Sequence, residues 1–107
     1  MKPLELTEIA QADLRSIRRY SERTWGTERT DRYMTALRDA MKGIVAGTVV
    51  SRERADLRPG LRMALSGRHC LFFEEDSSRV LLVRVLHERM DHPRRLHAEE
   101  GDPPGDE

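Results

Sequence analysis

In the stretch LRMALSGRHCLFFEEDSSRVLLVRVLH, residues 61–87, apolar residues recur with a period close to two, the mark of a β-sheet. In residues 61–66, Leu61, Met63 and Leu65 fall on one face, and Arg62, Ala64 and Ser66 on the other. Gly67-Arg68 reads as a tight turn. Residues 69–74, HCLFFE, form a second strand whose apolar run covers parts of both faces. Glu75-Asp76-Ser77-Ser78 is a polar hairpin loop. Residues 79–87, RVLLVRVLH, form the longest and most β-branched strand; apolar but for Arg84 and its two ends, it belongs in a central position. Three strands joined by short loops make an antiparallel meander.

Upstream of this segment the period is that of a helix. Ala10, Leu14, Ile17 and Ser21 lie at spacings of four, three and four, with Thr7 as the cap. Asp13, Arg15, Arg18, Arg19 and Glu22 are assigned mostly to the wet side. The helix stops near Trp25-Gly26. A second helix, capped by Thr27, carries the stripe Tyr33, Leu37, Ala40, Met41 and Ile44 and ends near Gly47. Gly43 inside it either costs helical stability or marks a close approach. So short a connection forces an antiparallel hairpin, which Trp25 is expected to lock. Residues 3–6 form a short strand that would join the sheet at an edge. Residues 48–60 are a charged connection ending in a Pro59-Gly60 turn, with a short extended piece at Thr48–Ser51.

Helices before strands give an α+β fold: a short N-terminal strand, then an antiparallel helical hairpin packed on one face of a small antiparallel β-sheet. The other face is expected to carry Arg84 and some exposed apolar side chains. One domain spans residues 1–97. The last ten residues, AEEGDPPGDE, have nothing apolar to bury and are expected to be a disordered acidic tail.

The chain has 107 residues, 37% hydrophobic and 36% charged, enough for one core. Its net charge of zero hides a division. Five of its 19 acids lie in the last ten residues, so the first 97 carry 19 bases against 14 acids. All the bases except Lys2 and Lys42 are arginines, which suit bidentate pairing with carboxylates or phosphates. The opening MKPLELTEIA lacks the apolar core of a signal peptide, and no run is long enough to span a membrane. A cytoplasmic protein is expected. Cys70, the single cysteine, is expected to be buried and unreactive. No Cys/His cluster has metal-ligand spacing, and no cofactor motif is present.

Arg84 stands in an apolar strand, where a charge must be paired within the fold or face a partner groove. Arg58, Arg62, Arg68 and Arg89 are candidates to join it in one basic patch on the sheet side. His87 and Met90, at the end of the last strand, complete the candidate binding residues. His69, His87, His92 and His97 share no ligand spacing. His87-Glu88 makes a weak catalytic pair, since adjacent strand residues point to opposite faces. No nucleophile arrangement and no glycine-rich phosphate loop is visible.

One resemblance runs through residues 4–96. It begins at Leu6-Thr7, Ala10, Asp13-Leu14, Ile17 and Tyr20, and continues through Trp25-Gly26, Tyr33 and Leu37. It is strongest in Asp56-Leu57-Arg58-Pro59-Gly60-Leu61-Arg62, then Gly67-Arg68-His69 and Phe72-Phe73. It closes on Val83-Arg84-Val85-Leu86-His87-Glu88-Arg89-Met90-Asp91. In these pieces the chain resembles the ParE toxins of the ParE/RelE superfamily. The resemblance implies a toxin of a type II toxin–antitoxin system, silenced by a ParD-like antitoxin that itself binds operator DNA. It further implies that DNA gyrase is the target and that the chain is not an enzyme. RelE-type relatives instead cut messenger RNA in the ribosome, often with a tyrosine near the C-terminus; this chain has no tyrosine after Tyr33. That ribonuclease, or a non-toxic protein-binding relative, is the alternative. The antitoxin- or target-binding candidates are then Arg58, Arg62, Arg68, Arg84, His87, Arg89 and Met90.

Overall fold

The structure, a computed structural model, describes residues 2–90 and 92–97. The expected acidic tail lies outside them. Strand β1 (Leu4–Leu6) leads into helix α1 (Glu8–Trp25) and helix α2 (Thr27–Ala46); β2 (Arg52–Glu53), β3 (Arg62–Ser66), β4 (His69–Glu75) and β5 (Val80–His87) follow, and a short helix α3 (His92–His97) comes last. The sheet order is β1-β5-β4-β3-β2. β1 lies parallel to β5 at one edge, and every other pairing is antiparallel. The α+β architecture, the meander and the edge position of β1 are as the periodicity predicts.

Thr7 caps α1 by accepting the Ala10 amide at 3.0 Å. The second cap differs from expectation. Gly26, not Thr27, caps α2: its carbonyl accepts both the amide and the hydroxyl of Thr30, at 3.2 and 2.8 Å. One glycine thus ends α1 and starts α2, which makes the hairpin tight. Trp25 meets Tyr33 edge to face across the bend, with centroids 5.7 Å apart. Gly43 marks a close approach: a Cβ there would stand 2.1 Å from the Val49 side chain returning from α2.

The sheet has a core on each face. Under the helical hairpin, Ile17, Met34, Leu37 and Ile44 meet Ala64, Leu71, Phe73, Leu82 and Val85. Each fully buried leucine of this kind contributes about 1.5–3 kcal/mol. The second face is not open, which corrects the sequence expectation. Leu96 of α3, with Leu57 and Met90, covers Leu61, Met63, Cys70, Phe72 and Leu86. Six residues with one leucine give no readable period, so α3 passes unnoticed in the sequence. Cys70 is buried there, and burial raises its thiol pKa.

A bulge in β5 decides which side chains go where. Phe72 pairs with Arg84, but Phe73 pairs with Leu82, so Val83 is an extra residue in the strand. Before it, Val80 and Leu82 face the hairpin; after it, Val85 does. Strict alternation would have put Arg84 into the hairpin core with Leu82. The bulge moves Arg84 to the α3 side and turns His87 toward the helices.

Arg84 is therefore neither exposed nor on a partner groove in this structure. It is 2% exposed. Its guanidinium reaches the edge of β5 and donates to both carboxylate oxygens of Asp13 at 2.9 Å, and to the Arg95 carbonyl at 3.0 Å. Asp13, assigned to the wet side from the sequence, is 3% exposed. The same carboxylate accepts the Val85 amide at 3.0 Å. Thr7 donates its amide and hydroxyl to the Leu82 and Val83 carbonyls. Beyond the end of β1, these two residues of the α1 region satisfy the β5 edge that no strand covers.

Candidate functional site

The seven candidate binding residues do not converge. Arg84 is inside. Arg58 and Arg62 lie at the start of β3, where Arg58 pairs with Glu74 at 3.1 Å and Arg62 donates to the Ser51 hydroxyl and carbonyl. Arg68, His87 and Arg89 lie at the far end of the meander. Met90 is half-buried against the α3-side core. One basic patch is thus divided into three places.

The far end of the meander holds a cleft of about 390 Å³ between the helical hairpin and the sheet. Four parts of the chain build it. α1 supplies Ile17, Tyr20 and Ser21; the bend and α2 supply Trp25 and Tyr33; the β3–β4 turn and the end of β5 bring Arg68, His69, His87 and Arg89. Tyr20 is an exposed aromatic on this wall. Gly67 makes the turn possible: its φ is +58°, and a Cβ would stand 2.6 Å from the Tyr33 ring.

Rings line the cleft in a chain. Trp25 meets Tyr33, Tyr33 meets His69 with centroids 5.6 Å apart, and His69 meets His87 at 5.4 Å, all edge to face. The two histidines are direct cross-strand partners in the β4–β5 ladder. The Tyr33 hydroxyl accepts the Arg68 amide at 3.0 Å and stands 2.6 Å from Nδ1 of His69. Its other acceptor, the Ser66 carbonyl, is 3.5 Å away. Assigning the phenolic proton to the shorter of the two contacts makes Nδ1 of His69 an acceptor and places the ring hydrogen on Nε2. Burial, with the neighbouring His87, lowers the His69 pKa from 6.5 to about 4, so the ring is neutral at pH 7. Burial also raises the Tyr33 phenol above its ordinary value.

His87 is oriented by the backbone. Its Nδ1 accepts the Arg89 amide at 3.1 Å, so in this arrangement its hydrogen is also on Nε2. His92 donates from Nε2 to the His87 carbonyl at 3.1 Å and stacks edge to face on Phe72, which fastens α3 to the end of β5. Glu88 does not partner His87; it pairs with Arg68 at 3.0 Å. At the rim, Arg29 lies 4.7 Å over the Trp25 ring. Among the described residues no group of three or more His, Cys, Asp or Glu is placed to hold a metal ion.

Sequence reading pointed to Arg68, His87 and Arg89 here and missed Tyr20, Tyr33 and His69. The available signal was the hairpin register. A short turn after Glu75, plus one bulge, sets His69 opposite His87. The bulge itself has no sequence mark.

A second exposed feature lies at the β2 edge. Val50 is 90% exposed and Leu65 56% exposed, and together with Val49, Met63 and Arg52 they line a shallow groove. No helix among the described residues is long and apolar enough to cross a membrane.

Known proteins agree with this architecture. Residues 4–92 match the family model described as ParE toxin of type II toxin-antitoxin system, parDE. Toxin ParE of Escherichia coli is 39% identical over 92 residues, covering 85% of this chain and 89% of that one. Toxin ParE1 of Caulobacter vibrioides is 37% identical over 90 residues, covering 84% and 93%. Toxin ParE1 of Mycobacterium tuberculosis is 34% identical over 92 residues, covering 85% and 94%. A solved chain of the chromosomal ParDE TA system from P. aeruginosa superposes with a TM-score of 0.69 at 21% identity, covering 81% of this chain and 96% of that one, and shares the fold. The chain belongs to the ParE toxin family of type II toxin–antitoxin systems.

Proposed function

We propose that the chain is a cytoplasmic toxin that a ParD-like antitoxin neutralises, and that it inhibits DNA gyrase by binding rather than by catalysis. The observation that carries the second half is the state of the cleft. A general base for RNA cleavage needs a free acceptor that titrates near neutral pH, most often a histidine nitrogen. Nδ1 of His69 and Nδ1 of His87 are both engaged as acceptors within the fold. The raised phenol of Tyr33 is no better a base. The cleft is built to donate hydrogen bonds and to pack, which suits recognition.

The antitoxin half is supported by the β2 edge. Val50 and Leu65 offer apolar anchors, and Arg52 lies beside them, a combination that suits an extended segment of mixed apolar and acidic residues. DNA would be met only through the antitoxin.

A gyrase supercoiling assay with the purified chain, with and without the protein encoded beside it, tests the reading. Loss of supercoiling that the neighbour restores is the expected result. Intact supercoiling together with cleaved messages and halted translation sinks the gyrase target and supports the ribonuclease. Unimpaired growth on expression of verified folded protein supports a non-toxic relative.

A further inference from the structure

The nitrogen groups that line the cleft, on Arg68, His69, His87 and Arg89, are set to donate, and the Tyr20, Ser21 and Tyr33 hydroxyls can donate or accept. His69 and His87 each keep a hydrogen on Nε2, because each Nδ1 is occupied from within the fold. Arg68 and Arg89 add guanidinium groups at the rim. Tyr20, Trp25 and Ile17 supply an apolar wall beside these donors. A donor-rich lining next to an apolar wall selects an anion joined to an apolar body.

Two observations choose among anions. First, the chain already seats a carboxylate at the rim: Glu88 on Arg68, at 3.0 Å. An incoming carboxylate exchanges with it one charge for one, whereas a phosphate dianion brings a second negative charge against Glu88. Second, among the described residues Tyr20 is the one exposed ring on this wall, and a single ring is not a stacking platform for successive bases. Arg29 covers a face of Trp25, and Trp25, Tyr33 and His69 meet one another edge to face. Single-stranded nucleic acid wants open ring faces.

We propose that this cleft is a carboxylate-reading pocket that seats an Asp or Glu side chain of the antitoxin, with an adjacent apolar side chain against Tyr20 and Trp25. It rests on the antitoxin reading above and adds where one acidic anchor is held. Arg89 and the His87 Nε2 hydrogen receive the carboxylate, and Arg68 turns to it from Glu88.

The full chain, labelled with ¹⁵N, is titrated with phenylacetate, phenylacetamide and inorganic phosphate, following the Trp25 indole and the histidine ring nitrogens. Phenylacetate is expected to bind saturably, with phenylacetamide about tenfold weaker, because a charged acceptor adds to each hydrogen bond. Arg89→Gln should weaken phenylacetate about tenfold by removing a charged donor. Glu88→Gln should tighten it severalfold by freeing Arg68. Equal binding of the amide, no saturation, or displacement of phenylacetate by equimolar phosphate each overturns the proposal.

A second arm uses the protein encoded beside this chain. Arg89→Gln is expected to lower its affinity about tenfold. If the neighbour binds wild type and variant alike, the cleft proposal falls and the antitoxin reading stands. If it does not bind the wild-type chain at all, both fall.

Discussion

Arg84 and Arg89 stand five residues apart on one stretch of chain, and they live in opposite worlds. Arg84 is sealed between sheet, α1 and α3, with both oxygens of Asp13 on its guanidinium. Arg89 lies at the rim of an open cleft. An arginine flanked by valine and leucine on both sides belongs to the fold, while one just past the strand end belongs to the surface. The bulge at Val83 separates the two regimes by turning the strand over between Leu82 and Val85.

The largest effect is expected from Asp13→Ala. It leaves a buried guanidinium without its carboxylate and the Val85 amide without its acceptor, and should cost about 3–5 kcal/mol in urea denaturation. The paired change Asp13→Leu with Arg84→Met should cost far less, since a buried pair replaced by apolar groups of similar size is often near neutral. A loss under about 1 kcal/mol for Asp13→Ala would show that the knot is not structural.

The cleft side is read through pH. His69 binds its proton with a pKa of about 4 in the fold against 6.5 in the free side chain. Between those values the unfolded chain takes up more protons, so stability from this residue is complete above pH 6.5 and is lost as pH falls toward 4. The full loss is about 3 kcal/mol. His69→Asn keeps an acceptor for the Tyr33 hydroxyl and removes the titration. Its unfolding free energy should therefore be flatter over that window; an unchanged slope would assign the pH dependence elsewhere.

Gly67→Ala should cost about 2 kcal/mol, from a left-handed backbone and from displacement of the Tyr33 ring. A change in the near-ultraviolet circular dichroism of the tyrosines should accompany it. Arg89→Gln, by contrast, should move thermal stability by less than about 0.5 kcal/mol, because it removes no buried contact. Should that variant unfold the protein, the rim would prove to be part of the fold.

The fold was legible where the pattern is local. Periods of two in residues 61–87 and of 3.6 in residues 7–46 mark the meander and the hairpin, and both are present. What the pattern missed depends on distance or on one extra residue. Asp13 looks like any wet helical aspartate until Arg84, 71 residues later, is folded against it. α3 carries a single leucine. The cleft draws on four parts of the chain, and its central contact, Tyr33 with His69, crosses 36 residues. Arg68, His87 and Arg89 are visible as charged or titratable residues at strand ends; Tyr33 reads as core because it lies on the apolar stripe of α2.

The side-chain seal on the β5 edge has a consequence for the order of events in folding. Leu4, Thr7 and Asp13 are made first, yet their partners are Val80, Leu82, Val83, Arg84 and Val85. A nascent chain that stops short of Val80 has no strand for them to bind. Closure must wait for a loop of some seventy residues to be drawn together, which slows folding relative to a protein of local contacts. The ribosome therefore has to deliver the chain through Val85 before this closure can form, and a copy ended before Val80 would lack both the knot and the cleft.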